Sequence, residues 1–107
     1  MKADLIATRK AVLEGQTSAL EVAENCLEMA KSAACQHVFL QLTEADLRNT
    51  AAHAAGKKHP LAGLAVSVKD LFDVQGQITT AGSRVLQNQA PAAEDAAAID
   101  RLRAAGA

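Results

Sequence analysis

The stretch LAGLAVSVKDLFDV, residues 61–74, is where the hydrophobic pattern of this chain changes its period. In "LAVSVKD" the repeat is two: Leu64, Val66 and Val68 face one way, and Ala65, Ser67 and Lys69 the other, the pattern of a β-strand. The run ends on a lysine and an aspartate, Lys69 and Asp70, ahead of two large apolar residues, Leu71 and Phe72. An ammonium group at the end of the best strand has two explanations. Its stem can pack along the sheet while the charge stays in water. Alternatively, it serves as a base and must lose its proton. A free lysine has a pKa of about 10.4, so only about one in a thousand is neutral near pH 7.5. Burial among small residues such as Ala65 and Ser67, under covering elements, lowers that value.

Upstream of this stretch the period is helical. Leu5 and Ile6 recur as Val12 and Leu13, which predicts a helix over about 3–14 with Gly15 as its stop. Ser18 with Glu21 forms a capping box, and Val22/Ala23, Cys26/Leu27, Ala30 and Ala33/Ala34 continue as an apolar stripe. "HVFLQLT", residues 37–43, suits either a short strand or the lead into a helix. That helix would be capped by Thr43 and Asp46, carry Leu47, Ala51 and Ala54/Ala55, and stop at Gly56. "KKHP" reads as a linker, because Pro60 forbids further helix.

Downstream, "VQGQ" reads as a turn and "ITTAGSR" as a strand end entering a glycine-containing loop. A last helix is expected from Asp95 as N-cap, with Ala98/Ile99, Leu102 and Ala105 as its stripe and Gly106 as its stop. In α/β proteins such a helix feeds another strand, and the sequence ends one residue later.

The totals limit what the chain does by itself. Of 107 residues, 25 are Ala, which buries little area, and Leu, Ile, Val and Phe together number 24. A self-sufficient core is hard to build from that inventory, so the chain is expected to lean on a partner or on further polypeptide. Eleven basic against twelve acidic residues give no field for nucleic acid or an anionic membrane. With two Phe and no Trp or Tyr there is no stacking platform for bases. No apolar run of about 18 residues is present to cross a bilayer, and the first fifteen residues lack the apolar core of a secretory signal. Cys26 and Cys35, nine residues apart on an expected single helix, lie on opposite faces, too far for a disulfide. They read as buried thiols in a reducing compartment, and the expected location is cytoplasmic.

Other chemistry is thin. His37, His53 and His59 have no metal-ligand spacing among themselves or with the cysteines, so no metal site is expected. "GKK" at 56–58 lacks the rest of a phosphate loop. Asp70 with Asp73 resembles an acid/base pair, but turn and capping roles are commoner for such residues.

Residues 59–107, "HPLAGLAVSVKDLFDVQGQITTAGSRVLQNQAPAAEDAAAIDRLRAAGA", resemble the N-terminal pattern of the amidase signature family. The ordered series "VKD…TTAGS…ED…LRAAGA" carries the likeness. "LEGQTSALEVAENCLEMAK" and "VFLQLTEADL" are similar to the helices that precede it there, so the likeness covers most of the chain. Departures include Ala65, where proline is usual, and "LFDV" at 71–74, where "NIDV" is common. The second counts mildly against the glutamyl-tRNA amidotransferase branch.

The resemblance implies an amide hydrolase working through a Ser–cis-Ser–Lys triad, with Lys69 as the base, no cofactor and a small-molecule amide substrate. It also implies an α/β fold: N-terminal helices over 1–56, then a strand-loop-helix segment over 57–107. Together these would form the N-terminal part of an amidase domain with a two- or three-stranded remnant of its mixed sheet. The Gly/Ser-rich signature holding both serines lies further along in that family. Neither Ser67 nor Ser83 stands in such a context, so these residues alone are expected to be inactive. The competing expectation is a non-catalytic module that dimerises or docks on a partner chain.

Overall fold

The computed structural model describes residues 3–107. The chain divides into two compact units, one running to Ala65 and taking in Ala105–Ala107, the other Val66–Ala104.

The first unit holds three helices. α1 spans Leu5–Leu13, and its N-cap Asp4 accepts the Ala7 N–H at 2.8 Å. α2 spans Ala19–Lys31 and starts at the expected cap, with the Ser18 hydroxyl accepting the Glu21 N–H at 3.0 Å. The Glu21 carboxylate does not close the box on Ser18; it takes the Thr17 hydroxyl at 2.7 Å. A 3₁₀ turn follows at Ala33–Cys35, so the two cysteines are not on one helix, and Cys26 is exposed rather than buried. Residues 37–43 form neither strand nor helix, and Val38, Phe39 and Leu40 are exposed. α3 spans Glu44–His53; the Thr43 side chain makes no cap, although its carbonyl accepts the Leu47 N–H.

Alanines make the core of this unit. Ala19, Ala23, Ala51, Ala54 and Ala62 cluster with Leu47 against them. Small side chains let the backbones come close, which explains why Gly63 follows Ala62. Its φ is +83°, and a Cβ there would lie 2.8 Å from the Cβ of Ala19. Around this core Arg48 bridges α3 to Glu24 of α2 at 2.6 Å, and Lys31 reaches Glu44 at 2.7 Å. These pairs are exposed and contribute little each.

Arg9 is the one buried charged residue among those described. Its guanidinium donates to the carbonyls of His59 at 2.7 Å, Pro60 at 3.1 Å and Lys57 at 3.4 Å, fixing the linker to α1. Arg9→Met keeps the stem but leaves those acceptors without a donor. It is expected to cost about 2 kcal/mol, read as a lower urea midpoint with unchanged slope.

The expected sheet is not there. Among the described residues there are four α-helices and no strand, so the molecule is helical rather than α/β with a two- or three-stranded remnant. The reason lies in the hydrogen bonds. Residues 64–69 are non-helical, as their period-two pattern requires, but no backbone bond among the described residues involves 65–68. A strand exists only against a partner ladder, and these residues supply none.

The second unit is held by a zipped loop. The Gly76 N–H donates to the Ala92 carbonyl and the Ala92 N–H to the Gln77 carbonyl, both at 2.9 Å. The Ala96 N–H donates to the Asp73 carbonyl at 2.9 Å. After a 3₁₀ turn at Arg84–Asn88 comes α4, Ala97–Ala104. Asp95 is not its N-cap. That carboxylate accepts the Gln75 N–H at 2.7 Å and the Arg103 Nε–H at 2.6 Å, tying both loop and helix to one side chain.

Among the described residues no side chain of any size is completely buried, and fourteen large apolar residues are exposed. That exposure agrees with the thin core the composition implies. No helix of the described residues is long and apolar enough to cross a membrane.

Candidate functional site

Within the second unit, Val66–Lys69 runs along one wall of an apolar hollow of about 220 Å³. Ile99 and Leu102 of α4, with Phe72, make the other wall, and Ile99 is only 6% exposed. Ser67 and Lys69, two positions apart on the non-helical run, are the polar side chains bordering it. Lys69 itself is exposed. Val66, Val68 and Phe72 are also each more than two-fifths exposed, so the hollow lies open.

The backbone reverses directly after Lys69. Its carbonyl accepts the Leu71 N–H at 2.7 Å and the Phe72 N–H at 3.2 Å. Both flanking aspartates are engaged in that reversal, not paired with each other. One Asp70 carboxylate oxygen accepts the Thr80 N–H at 2.9 Å, and the other accepts the Thr80 hydroxyl. Asp73 accepts the Thr79 hydroxyl at 2.7 Å.

The Thr80 turn carries strain. The Ser83 N–H donates to the Thr80 carbonyl at 2.8 Å, and the two residues between, Ala81 and Gly82, have φ of +49° and +73°. For a residue with a Cβ, such as Ala81, the left-handed region costs roughly 1–2 kcal/mol. The N–H that leads into this turn, that of Thr80, is the backbone donor to the Asp70 carboxylate, at 2.9 Å. Ser83 closes this turn, and Ser67 lies on the non-helical run before Lys69.

Two carboxylates of the second unit are held below their ordinary range. For Asp70 the cause is the Thr80 hydroxyl, then the Thr80 N–H, with a smaller contribution from the Gly82 N–H. For Asp95 it is the Gln75 N–H and then Arg103. A depressed native pKa contributes stability above the unfolded value of about 3.9, and that stability is lost as pH falls through the native value. The urea midpoint is therefore expected to be flat above about pH 5 and to decline progressively below about pH 4. A midpoint that rises on acidification would contradict these contacts.

No three of the described His, Cys, Asp and Glu residues converge as ligands. His53 engages the Asn49 carbonyl of its own helix at 2.7 Å. The pairing of Asp70 with Thr80 was not anticipated from the sequence. Its signal was an acid nine residues ahead of "TTAG", a threonine pair entering a tight turn.

A sequence model of the family described as Amidase matches residues 21–107. Among curated relatives, the A-subunit of the glutamyl-tRNA(Gln) amidotransferase from Bordetella avium is 40% identical over 97% of this chain. Its counterpart from Thermus thermophilus is 43% identical over 92%. The "LFDV" departure thus does not set the chain apart from that branch. The 1-carboxybiuret hydrolase subunit AtzE of Pseudomonas sp. (strain ADP) is 36% identical over 90%. The chain spans about a fifth of the length of these relatives, 21–22%. A solved structure is described as an inhibitor-bound vestigial protein complex that reveals the evolutionary origins of an s-triazine catabolic enzyme. It matches with a TM-score of 0.90 at 32% identity, over 97% of this chain and 24% of that one.

Proposed function

This chain belongs to the amidase family, and from that membership we propose that it supplies the base of an amide hydrolase, Lys69, while other polypeptide supplies the serines. The observation that carries the reading is the continuous family match over 21–107, which includes the "VKD" lysine. Its position beside an open apolar hollow supports it, because a covering segment would desolvate the amine and favour its neutral form.

In the proposed reaction neutral Lys69 takes the hydroxyl proton of a serine held by a cis peptide. That serine takes the proton of a second serine, whose oxygen attacks the amide carbonyl. The C–N bond breaks, the nitrogen leaves as ammonia or amine with the relayed proton, and water hydrolyses the acyl-enzyme to the carboxylate. The chemistry needs no cofactor. We place the protein in the cytoplasm and assign residues 1–107 to the N-terminal part of the amidase domain. By itself the chain is inactive in this reading.

A second reading is favoured by the exposed apolar residues: a non-catalytic module that dimerises or docks on a partner chain. Relatives named as subunits, and a neighbour described as a complex, support the docking form.

The two separate in a chimera of the 1-carboxybiuret hydrolase subunit whose matching segment is replaced by residues 1–107. The isolated chain should release no ammonia from 1-carboxybiuret, whereas the chimera, in its complex, should turn over. A chimera that assembles with native circular dichroism yet is inert would overturn the catalytic reading.

A further inference from the structure

The geometry points to Asp70 as a positioning residue for Lys69, acting through Thr80; this rests on the reading of Lys69 as a base. Lys69 stands where the chain turns back on itself, with its carbonyl accepting from both Leu71 and Phe72. The direction of the amine is therefore set by whatever holds that bend. Asp70 is the next residue, and both its oxygens are spent on one partner ten positions away, the N–H and hydroxyl of Thr80. Thr80 is in turn fixed by the Ser83 N–H across a turn that forces Ala81 to a positive φ.

Asp73 and Thr79 repeat the arrangement one layer out, at 2.7 Å. Two adjacent carboxylate–threonine pairs thus brace a single bend. A strained residue persists only where its surroundings over-determine it, and here Ala81 at φ +49° sits in the turn closed by the Ser83 N–H on the Thr80 carbonyl. Asp70 is thereby committed to backbone and hydroxyl donors, leaving it no role as acid or base. A relay tolerates little displacement, since a shift of about 1 Å costs about 100-fold in rate.

The test uses Asp70→Ala, Thr80→Val and Thr80→Ser in two settings. In the isolated chain, the first two should speed amide exchange at Leu71 and Phe72 about 10-fold and leave α2 unchanged. In the chimera, they should lower kcat for 1-carboxybiuret about 10- to 100-fold with KM within about twofold, and Thr80→Ser should restore both readouts. Lys69→Ala is run alongside. If it abolishes turnover while Asp70→Ala and Thr80→Val keep kcat within about twofold, positioning is wrong and the base assignment stands. If Lys69→Ala has no effect, the base assignment fails and positioning falls with it. Should Asp70→Ala not fold, the Val/Ser pair at Thr80 decides alone.

Discussion

Replacing Lys69 by alanine in the chimera is expected to lower turnover about 10³- to 10⁴-fold while assembly and thermal midpoint hold. The size follows from how relays work: their members act as a unit, and losing one costs nearly the whole effect, leaving only binding and oxyanion stabilisation. The fold should be indifferent, because Lys69 is exposed and its side chain makes no hydrogen bond or ion pair within the described residues. Lys69→Arg should be nearly as damaging, since a guanidinium keeps its proton at any working pH. Steady-state kinetics on 1-carboxybiuret reads both. A Lys69→Ala chimera within about threefold of its parent would remove the lysine from the chemistry.

Gly63→Ala is expected to cost the isolated chain about 2–5 kcal/mol, the largest single loss of stability foreseen here. Two penalties add. The left-handed backbone at φ +83° disfavours a Cβ by about 1–2 kcal/mol. That Cβ would also sit 2.8 Å from the Cβ of Ala19 and 3.4 Å from its Cα, groups on a helix that cannot swing away, and overpacking of this kind costs about 1–3 kcal/mol. Gly15→Ala isolates the first penalty, because its φ is +71° with nothing within 4 Å of the added atom. Urea unfolding followed by circular dichroism compares the pair. Equal losses would show that Ala19 gives way and that the alanine core is looser than its burial suggests.

Local signals in the sequence found local structure. The Ser18 cap and the stripe behind it mark α2 because one hydroxyl and a 3.6-residue period suffice to specify a helix start. The period-two run at 64–69 lies outside every helix but forms no strand. It failed as a prediction of sheet because pairing is a property of two segments, and only one is present among these residues. Asp95 failed for a related reason. A carboxylate ahead of an alanine-rich helix has the look of a cap, but Gln75, twenty residues earlier, claimed one oxygen and Arg103 the other. Lys69 and its neighbours were legible through an ordered family pattern, whereas the brace beneath them depends on a turn geometry at Ala81 that alanine does not advertise. Cys26, expected inside, lies outside because its helix buries Ala19, Ala23 and Leu27 on another face.

The amides of residues 66–68, which take no backbone partner among the described residues, bear on how the chain behaves in a tube. A bare row of donors and acceptors flanked by exposed valines is a template for strands from other molecules. Concentrated preparations should therefore cloud or gel over time, and thioflavin fluorescence should grow with protein concentration. A charge at this rim, as in Val66→Lys, should act as a gatekeeper and keep the solution clear.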